Sequence, residues 1–411
     1  MLLIATHILL AAMTCVVAIP VLVFTVEVFL SLLPKRRGLI PASQPGGASS
    51  PRIVVLIPAH NEQLTIGRTV QRLIPTLPHN ASVLVVADNC TDSTAQVAAD
   101  AGAKVIAREN RVQRGKGYAL DFGLRFLDAN PPDVVYFLDA DCEVDTRTVW
   151  RLSEAAFVSQ RPVQGLNTCL PAKEDGPGQV LSALGMRFRN QVRTTGLLNA
   201  GMPCHLFGTG MAFPWSLIKD APLASGNLVE DLKLGIDLAV RGTPPMFIPD
   251  VEVTSPMPAQ SSAVATQKTR WVQGHLRTIK NEAPRLMWRA LTLRRIDLAC
   301  LALDLCVPPL SLMCMLWLIC WMVAAAAAVV GASLIPVITL SVVGLLAGLA
   351  GFSGWYKFCR RTAPLSRLAC IPLYIAGNLP IYTRFALRKA EKGWVRTARD
   401  ADRGNSPVTA A

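Results

Sequence analysis

The chain of 411 residues is 51% hydrophobic and only 17% charged, where an ordinary soluble domain carries about 25% charged residues. Its net charge of +13 gathers beside long apolar runs, as in Pro34-Lys35-Arg36-Arg37, Leu293-Arg294-Arg295 and Lys357 to Arg361, a placement that attraction to anionic lipid and the positive-inside rule explain. The absence of a basic stripe interleaved with aromatics argues against nucleic acid as a partner, and 11 scattered cysteines without a CxxC pair argue against a zinc signature or a disulfide framework.

Residues Leu2 to Leu33 are almost wholly apolar, long enough for a tilted membrane helix. The uncharged start, long core and following basic cluster fit an uncleaved anchor (1–33) with its C-terminal end in the cytosol better than a cleaved signal peptide. Glu27, near that end, is expected at the interface or against a partner helix. Residues 34–51 form a linker whose Pro41 to Pro51 stretch is rich in Ser, Gly and Pro. From Arg52 to Arg277 the chain alternates strand and helix. Arg52 to Ile57, Ser82 to Ala87, Lys104 to Ala107 and Asp133 to Leu138 read as short buried strands, and Leu64 to Leu73, Ser93 to Ala101 and Gly117 to Leu127 as helices. This βαβαβ order predicts an α/β, Rossmann-like, mainly parallel sheet with helices on both faces, and ligands at the carboxyl ends of its strands. The polar clusters His60-Asn61-Glu62, Asp88-Asn89-Cys90 and Asp139-Ala140-Asp141 all fall at those ends.

Beyond Arg277 the character changes. Residues 278–296 are basic and amphipathic and are expected to lie in a membrane interface. Residues 297–356 hold two apolar spans, the first kinked at Pro308-Pro309. The stretch 365–387 is interrupted by Arg367, Pro372, Pro380 and Arg384; an interfacial or re-entrant segment there leaves the basic tail, 388–411, in the cytosol.

Two carboxylates one residue apart, Asp139 and Asp141, can converge on one hard cation where the chain turns, leaving room for a diphosphate; surface aspartates at a strand end are also common. Asp92 or Ser93 can cap the following helix, whereas Asp88 is placed to meet a nucleobase or ribose. Arg114-Gly115-Lys116-Gly117 has the form of a phosphate-binding turn opening a helix, or of a solvated glycine turn. Glu230-Asp231 opens a helical run, Leu232 to Val240, as a dipole partner or as a general base toward an acceptor hydroxyl. Gln267, Arg270 and Trp271 share a helical turn, which is either an ordinary amphipathic turn or a site with a cation for diphosphate and an indole for a sugar ring.

In this order the clusters resemble the family 2 glycosyltransferases of GT-A fold. The carrying elements are Pro58-Ala59-His60-Asn61-Glu62, Asp88 to Thr94, Arg114-Gly115-Lys116-Gly117, Asp139-Ala140-Asp141, Glu230-Asp231 and Gln267-x-x-Arg270-Trp271. The last narrows the resemblance to the membrane-integrated branch, with cellulose, chitin, chitooligosaccharide and hyaluronan synthases and ceramide glucosyltransferases. The resemblance implies a cytosolic GT-A domain over 52–277 in a plasma (bacterial inner) membrane protein, inverting transfer from a nucleotide sugar (UDP by family habit) and Mg2+ or Mn2+ at Asp139 and Asp141. It implies a lipid-linked or glycan acceptor, in glycan, exopolysaccharide or glycolipid synthesis beside membrane lipids and other glycan-assembly proteins.

Carried over by residue, Asp231 is the catalytic base, and Pro58, Glu62, Asp88, Lys116, Asp139 and Arg270 bind the donor. Gly208, Thr209, Gly210, Glu230, Gln267 and Trp271 face the acceptor. Trp394, Thr397 and Arg399 resemble the segment covering the nucleotide in processive synthases. Val229 stands where the family often has threonine, and Thr209 where many synthases have cysteine, so acceptor contacts differ. Alternatives with the same sequence features are a processive polysaccharide synthase, for which three spans are few, and a non-catalytic membrane scaffold; a sugar-phosphate transferase onto a polyprenyl phosphate usually lacks the QxxRW element.

Overall fold

A computed structural model describes residues 2–34, 50–170, 176–224, 229–257 and 261–387. The N-terminal helix α1 (Leu2–Leu32) is followed by β1 (Ile53–Ala59), α2 (Ile66–Leu73), β2 (Ala81–Asp88), α3 (Thr94–Asp100), β3 (Lys104–Arg108), α4 (Lys116–Leu127) and β4 (Val134–Phe137). Next come α5 (Thr146–Ser159), β5 (Val163–Leu170), α6 (Pro177–Arg187), a π-helical stretch (Phe188–Arg193), α7 (Thr194–Asn199), β6 (Met211–Pro214), α8 (Trp215–Ile218), α9 (Glu230–Val240) and β7 (Met246–Pro256). Helices α10 (Ser261–Thr292), α11 (Ile296–Cys306), α12 (Leu310–Val329) and α13 (Ile335–Gly354) follow, then the short α14 (Leu365–Leu368), α15 (Ile371–Gly377) and α16 (Leu379–Ala386). The chain forms two compact units. One contains residues 37–175 and 203–274, the other residues 1–36, 176–202 and 275–390.

The first unit is built on a seven-stranded sheet of order β3-β2-β1-β4-β6-β5-β7. Strands β3, β2, β1 and β4 are parallel, β6 runs antiparallel to β4 and β5, and β7 is parallel to β5. The expected α/β class and mainly parallel sheet are present, and the strand and helix ends read from the sequence lie within two residues of those observed. Because side chains alternate along a strand, Ile53, Val55 and Ile57 of β1 pack with Ile66, Val70, Ala98 and Leu152 on one face. Val54 and Leu56 pack with Leu120, Leu124, Leu234 and Leu238 on the other. Full burial of each such side chain contributes about 1.5–3 kcal/mol, so the double-sided apolar strands hold the register that aligns their polar ends.

In the second unit α1 packs with α12, α13 and the π-helical stretch through Val17, Val21, Phe24, Val28, Val192, Leu340 and Val343. Among the described residues, three helices are long and apolar enough to cross a membrane: Thr6–Leu32, Leu310–Val329 and Ile335–Cys359. Glu27 is buried against a partner element, where Arg193 Nε donates to its Oε2 at 2.6 Å. Arg193 Nη2 also ion-pairs with Asp304 and donates to the Asp304 carbonyl at 2.8 Å. Gly196 makes this approach possible, since a Cβ there would lie 1.9 Å from the Glu27 carbonyl oxygen.

Three expectations need correction. Pro308 and Pro309 do not kink a span; they separate α11 from α12, because two successive residues without an N–H end a helix that a single interior proline, such as Pro284 in α10, only interrupts. Residues 278–296 are not a separate helix: up to Thr292 they are the continuation of α10, which runs through Pro284. The range 52–277 is interrupted, with 176–202 belonging to the second unit. The 365–387 stretch, expected as an interfacial or re-entrant segment, forms three helices of at most 8 residues, each too short to cross a bilayer.

Candidate active site

The site grows from the carboxyl ends of the parallel strands. After β4 the chain turns through Asp139-Ala140-Asp141, closed by the Cys142 N–H donating to the Asp139 carbonyl at 3.1 Å. Two further bonds hold the turn: Thr69 Oγ1 donates to the Ala140 carbonyl (2.8 Å), and the Asp139 N–H donates to Thr209 Oγ1 (3.1 Å). One ligand atom each from Asp139, Asp141 and Cys142 lies within 4.8 Å of the others. Burial, with Asp141 and Asp139 beside it, pushes the Cys142 thiol well above its usual pKa. The two carboxylates are thus the anionic donors, a hard oxygen pair suited to Mg2+ or Mn2+.

Lys116 reaches the same place from the start of α4. Gly115 holds a φ of 127°, which glycine adopts at little cost, and delivers Lys116 as the first residue of α4. Gly117 lets the helix close in, since a Cβ there would sit 2.4 Å from the Leu223 carbonyl oxygen and 3.6 Å from Glu230 Cβ. Lys116 Nζ ion-pairs with Asp139 and donates to the Gly208 carbonyl at 2.6 Å. Burial alone would lower its pKa, but Asp139, Glu230 and Asp231 more than offset this, and the net shift is upward. Asp231 is adjacent as well: a Cβ on Gly208 would stand 3.3 Å from Asp231 Oδ2 and 3.8 Å from Lys116 Nζ.

The loop carrying Gly208, Thr209 and Gly210 has positive φ at both glycines, 88° and 66°. It is pinned by Gln164 of β5, a fully buried amide. Gln164 Nε2 donates to the Thr209 carbonyl (2.9 Å) and Gln164 Oε1 accepts from the Phe207 N–H (2.7 Å). Asn167 Nδ2 adds a bond to the Phe207 carbonyl at 3.0 Å.

Glu230 titrates in an unusual range. Burial raises its carboxyl, Lys116 opposes this and Asp231 adds to it, leaving the pKa at about 7 against an ordinary 4.5. An acid whose folded pKa is raised binds its proton more tightly when folded. Metal-free protein is therefore expected to have this stabilisation in full below pH about 4.5 and to lose it as pH rises to about 7. Thermal unfolding of wild type and Glu230→Gln across that window checks the sign: the variant should lack this component of the pH dependence.

At the end of β2, buried Asp88 Oδ1 pairs with Arg108 Nη1 at 2.6 Å and accepts from Asn89 Nδ2 at 3.0 Å. The neighbouring turn is tied to the end of β1: His60 Nδ1 lies 2.7 Å from the Asp88 carbonyl oxygen and Asn61 Oδ1 accepts from the Thr91 N–H at 2.7 Å. The Glu62 N–H donates to Thr94 Oγ1 (2.7 Å). Asp92 caps this turn, accepting from the Thr94 N–H (3.0 Å).

The structure thus brings Lys116, Asp139, Gly208, Thr209, Glu230 and Asp231 together, with Asp141 next to them. Pro58 lies in β1, pairing with Val86. Gln267, Arg270 and Trp271 are partly buried on one turn of α10. Trp394, Thr397 and Arg399 lie outside the described residues. Sequence reasoning missed Arg108, Gln164 and Asn167. Arg108 was hidden as the last residue of a short strand, whereas Gln164 and Asn167 carried a signal, two amides inside a strand that Thr168 apart is otherwise without polar side chains.

A glycosyltransferase-like family 2 model matches residues 51–274. Glucosyl-3-phosphoglycerate synthase from Mycolicibacterium smegmatis is 38% identical over 95 residues, 22% of this chain and 30% of that protein. Protein RfbJ from Shigella flexneri is 38% identical over 93 residues, 23% of this chain and 67% of that protein. The matched stretch thus spans under a third of the synthase. Among solved structures, a mannosyltransferase from Pyrobaculum calidifontis in complex with GDP-Man and Mn2+ aligns with a TM-score of 0.52 at 17% identity, covering 94% of this chain and 99% of that one. That likeness shows the shared fold, which is GT-A. With a family match over more than half its length, the chain belongs to the glycosyltransferase-like family 2.

Proposed function

We propose that the chain is a membrane-embedded, inverting glycosyltransferase that moves a sugar from a nucleotide sugar, a UDP-sugar by the resemblance, to a lipid-linked or glycan acceptor at the cytosolic face. One observation carries the reading: a cation (Lys116), a hard carboxylate pair (Asp139, Asp141) and a second carboxylate pair (Glu230, Asp231) meet around the Gly208 loop. Such a site has one group for each need of a displacement at an anomeric carbon. The mannosyltransferase neighbour was solved with a nucleotide sugar and Mn2+, and the donor set here fits that class of ion.

Asp139 and Asp141 would hold Mg2+ or Mn2+, which when bound supplies charge stabilisation to a departing diphosphate. Lys116, kept cationic by its carboxylates, adds positive charge at the same place, and Arg270 is assigned the same task from α10. Asp231 takes the proton of the acceptor hydroxyl as its oxygen attacks the anomeric carbon and the bond to the nucleoside diphosphate breaks. A single displacement inverts the centre, so an α-linked donor gives a β-linked product. Gly208, Thr209 and Gly210 form the floor for the acceptor, and Trp271 offers a ring face to a sugar. The three apolar helices and their flanking basic clusters support a membrane location with this site on the cytosolic side.

The test incubates detergent-solubilised protein with a panel of nucleotide sugars and Mn2+ or Mg2+, reading nucleoside diphosphate release with and without membrane lipid extract. Release from one donor, raised by lipid and reduced at least about 10²-fold in Asp139→Ala, is the expected result. Release unaffected by Asp139→Ala or by chelation contradicts the assigned ion site, and no release or binding with any donor favours a scaffold. Product length then separates single transfer from processive synthesis.

A further inference from the structure

We infer that Arg108 is a positioning residue for nucleotide recognition, acting through Asp88, an inference that rests on the nucleotide-sugar reading above. The pair is buried, with side chains only 9% and 7% exposed, and Arg108 Nη1 sits 2.6 Å from Asp88 Oδ1. The same Nη1 donates to the Gln113 carbonyl at 2.9 Å, so one guanidinium ties the end of β2 to the loop that leads into Arg114-Gly115-Lys116-Gly117. Its Cζ lies 5.6 Å from the centre of the Tyr118 ring on the first turn of α4. Asn89, at a φ of 52°, completes the frame. Its Nδ2 donates to Asp88 Oδ1, and its Oδ1 accepts from the Asn110 N–H at 2.7 Å.

The consequence is an asymmetric carboxylate. Oδ1 is occupied by Arg108 and Asn89, while Oδ2 has no hydrogen-bond partner among the described residues. Asp88 is therefore locked in one orientation with one acceptor oxygen left for a ligand N–H or ribose hydroxyl. Arg108 also neutralises a buried carboxylate, which alone would be costly to keep ionised. Without Arg108 the acceptor would lose its direction, and the Gln113 loop would lose its tie to β2. The loss at Asp88 falls on the nucleoside end of a donor, while Lys116 keeps its own anchors, Asp139 and the Gly208 carbonyl, at the diphosphate end.

The experiment uses two probes on the full-length protein in detergent with Mn2+: UDP, with GDP in parallel, and inorganic pyrophosphate. Arg108→Met is expected to weaken nucleoside diphosphate binding at least about 10-fold while leaving pyrophosphate unchanged, with Arg108→Lys between it and wild type. In an Asp88→Ala background Arg108→Met should add little, because it acts through a carboxylate already gone. Should Arg108→Met not fold, the same comparison is made with Arg108→Lys. Unchanged UDP binding in the variant that folds overturns the inference, as does parallel weakening of pyrophosphate or full additivity with Asp88→Ala. If wild type binds pyrophosphate but neither UDP nor GDP, the nucleotide-sugar reading itself fails.

Discussion

Asp231→Asn is expected to bind Mn2+ and nucleotide sugar as wild type does and to transfer sugar about 10²–10⁴-fold more slowly, the usual contribution of a positioned general base. The geometry separates binding from proton removal. In the proposed reading donor charge is met by Lys116 and by the ion that Asp139 and Asp141 would hold, whereas Asp231 stands at the Gly208 loop, its Oδ2 3.3 Å from the position a Gly208 Cβ would take. Asparagine keeps the size and loses the basicity. Glu230, with its carboxyl raised to about 7, is basic enough to serve, but it is Asp231 whose carboxylate stands at the Gly208 loop. On that placement Glu230→Gln is expected to cost less than Asp231→Asn. Rates of product formation at saturating donor, beside donor-binding titrations, check both variants; near-normal transfer by Asp231→Asn would remove it as the base and leave Glu230 as the next choice.

Arg193→Met should destabilise the protein by about 3–5 kcal/mol, the cost typical of breaking a buried ion pair on one side. Arg193 is 5% exposed and binds two carboxylates, Glu27 on α1 and Asp304 on α11. Removing the guanidinium leaves two acids facing each other without a counter-charge in an apolar bundle. The π-helical stretch Phe188–Arg193 exists in a setting that suits this task, since an extra residue in a helical turn re-aims a side chain. Replacing Glu27, Arg193 and Asp304 together by apolar residues of similar size should recover most of the loss, because the cost lies in the unpaired charge. Thermal unfolding in detergent micelles of the single and triple variants decides the matter. A single variant that melts with wild type would show that the triad contributes little to the second unit.

The elements around β1 to β4 were legible because their signals are local. RIVVLI and SVLVVA are apolar on both faces, as a covered parallel strand must be, and the polar residues stop them at the end where a ligand site forms. Lys116, Asp139, Thr209 and Asp231 could be named because each sits at such a boundary or beside a glycine turn. Three apolar helices were legible by length and composition alone.

What only the tertiary structure decided depends on pairing between distant residues. That β6 inserts antiparallel between β4 and β5 follows from Tyr136 meeting Ala212 and Val163 meeting the same residue, contacts that no local period encodes. The departure of residues 176–202 into the second unit is likewise invisible in a stretch whose helical pattern suits either unit. Arg108 reaches Asp88 across 20 positions, Gln164 reaches Thr209 across 45, and Arg193 reaches Glu27 across 166. A buried polar side chain needs a partner because desolvation is costly, but the sequence states only the need. Folding supplies the partner, and so decides which of the polar residues frame the site and which merely cap a turn.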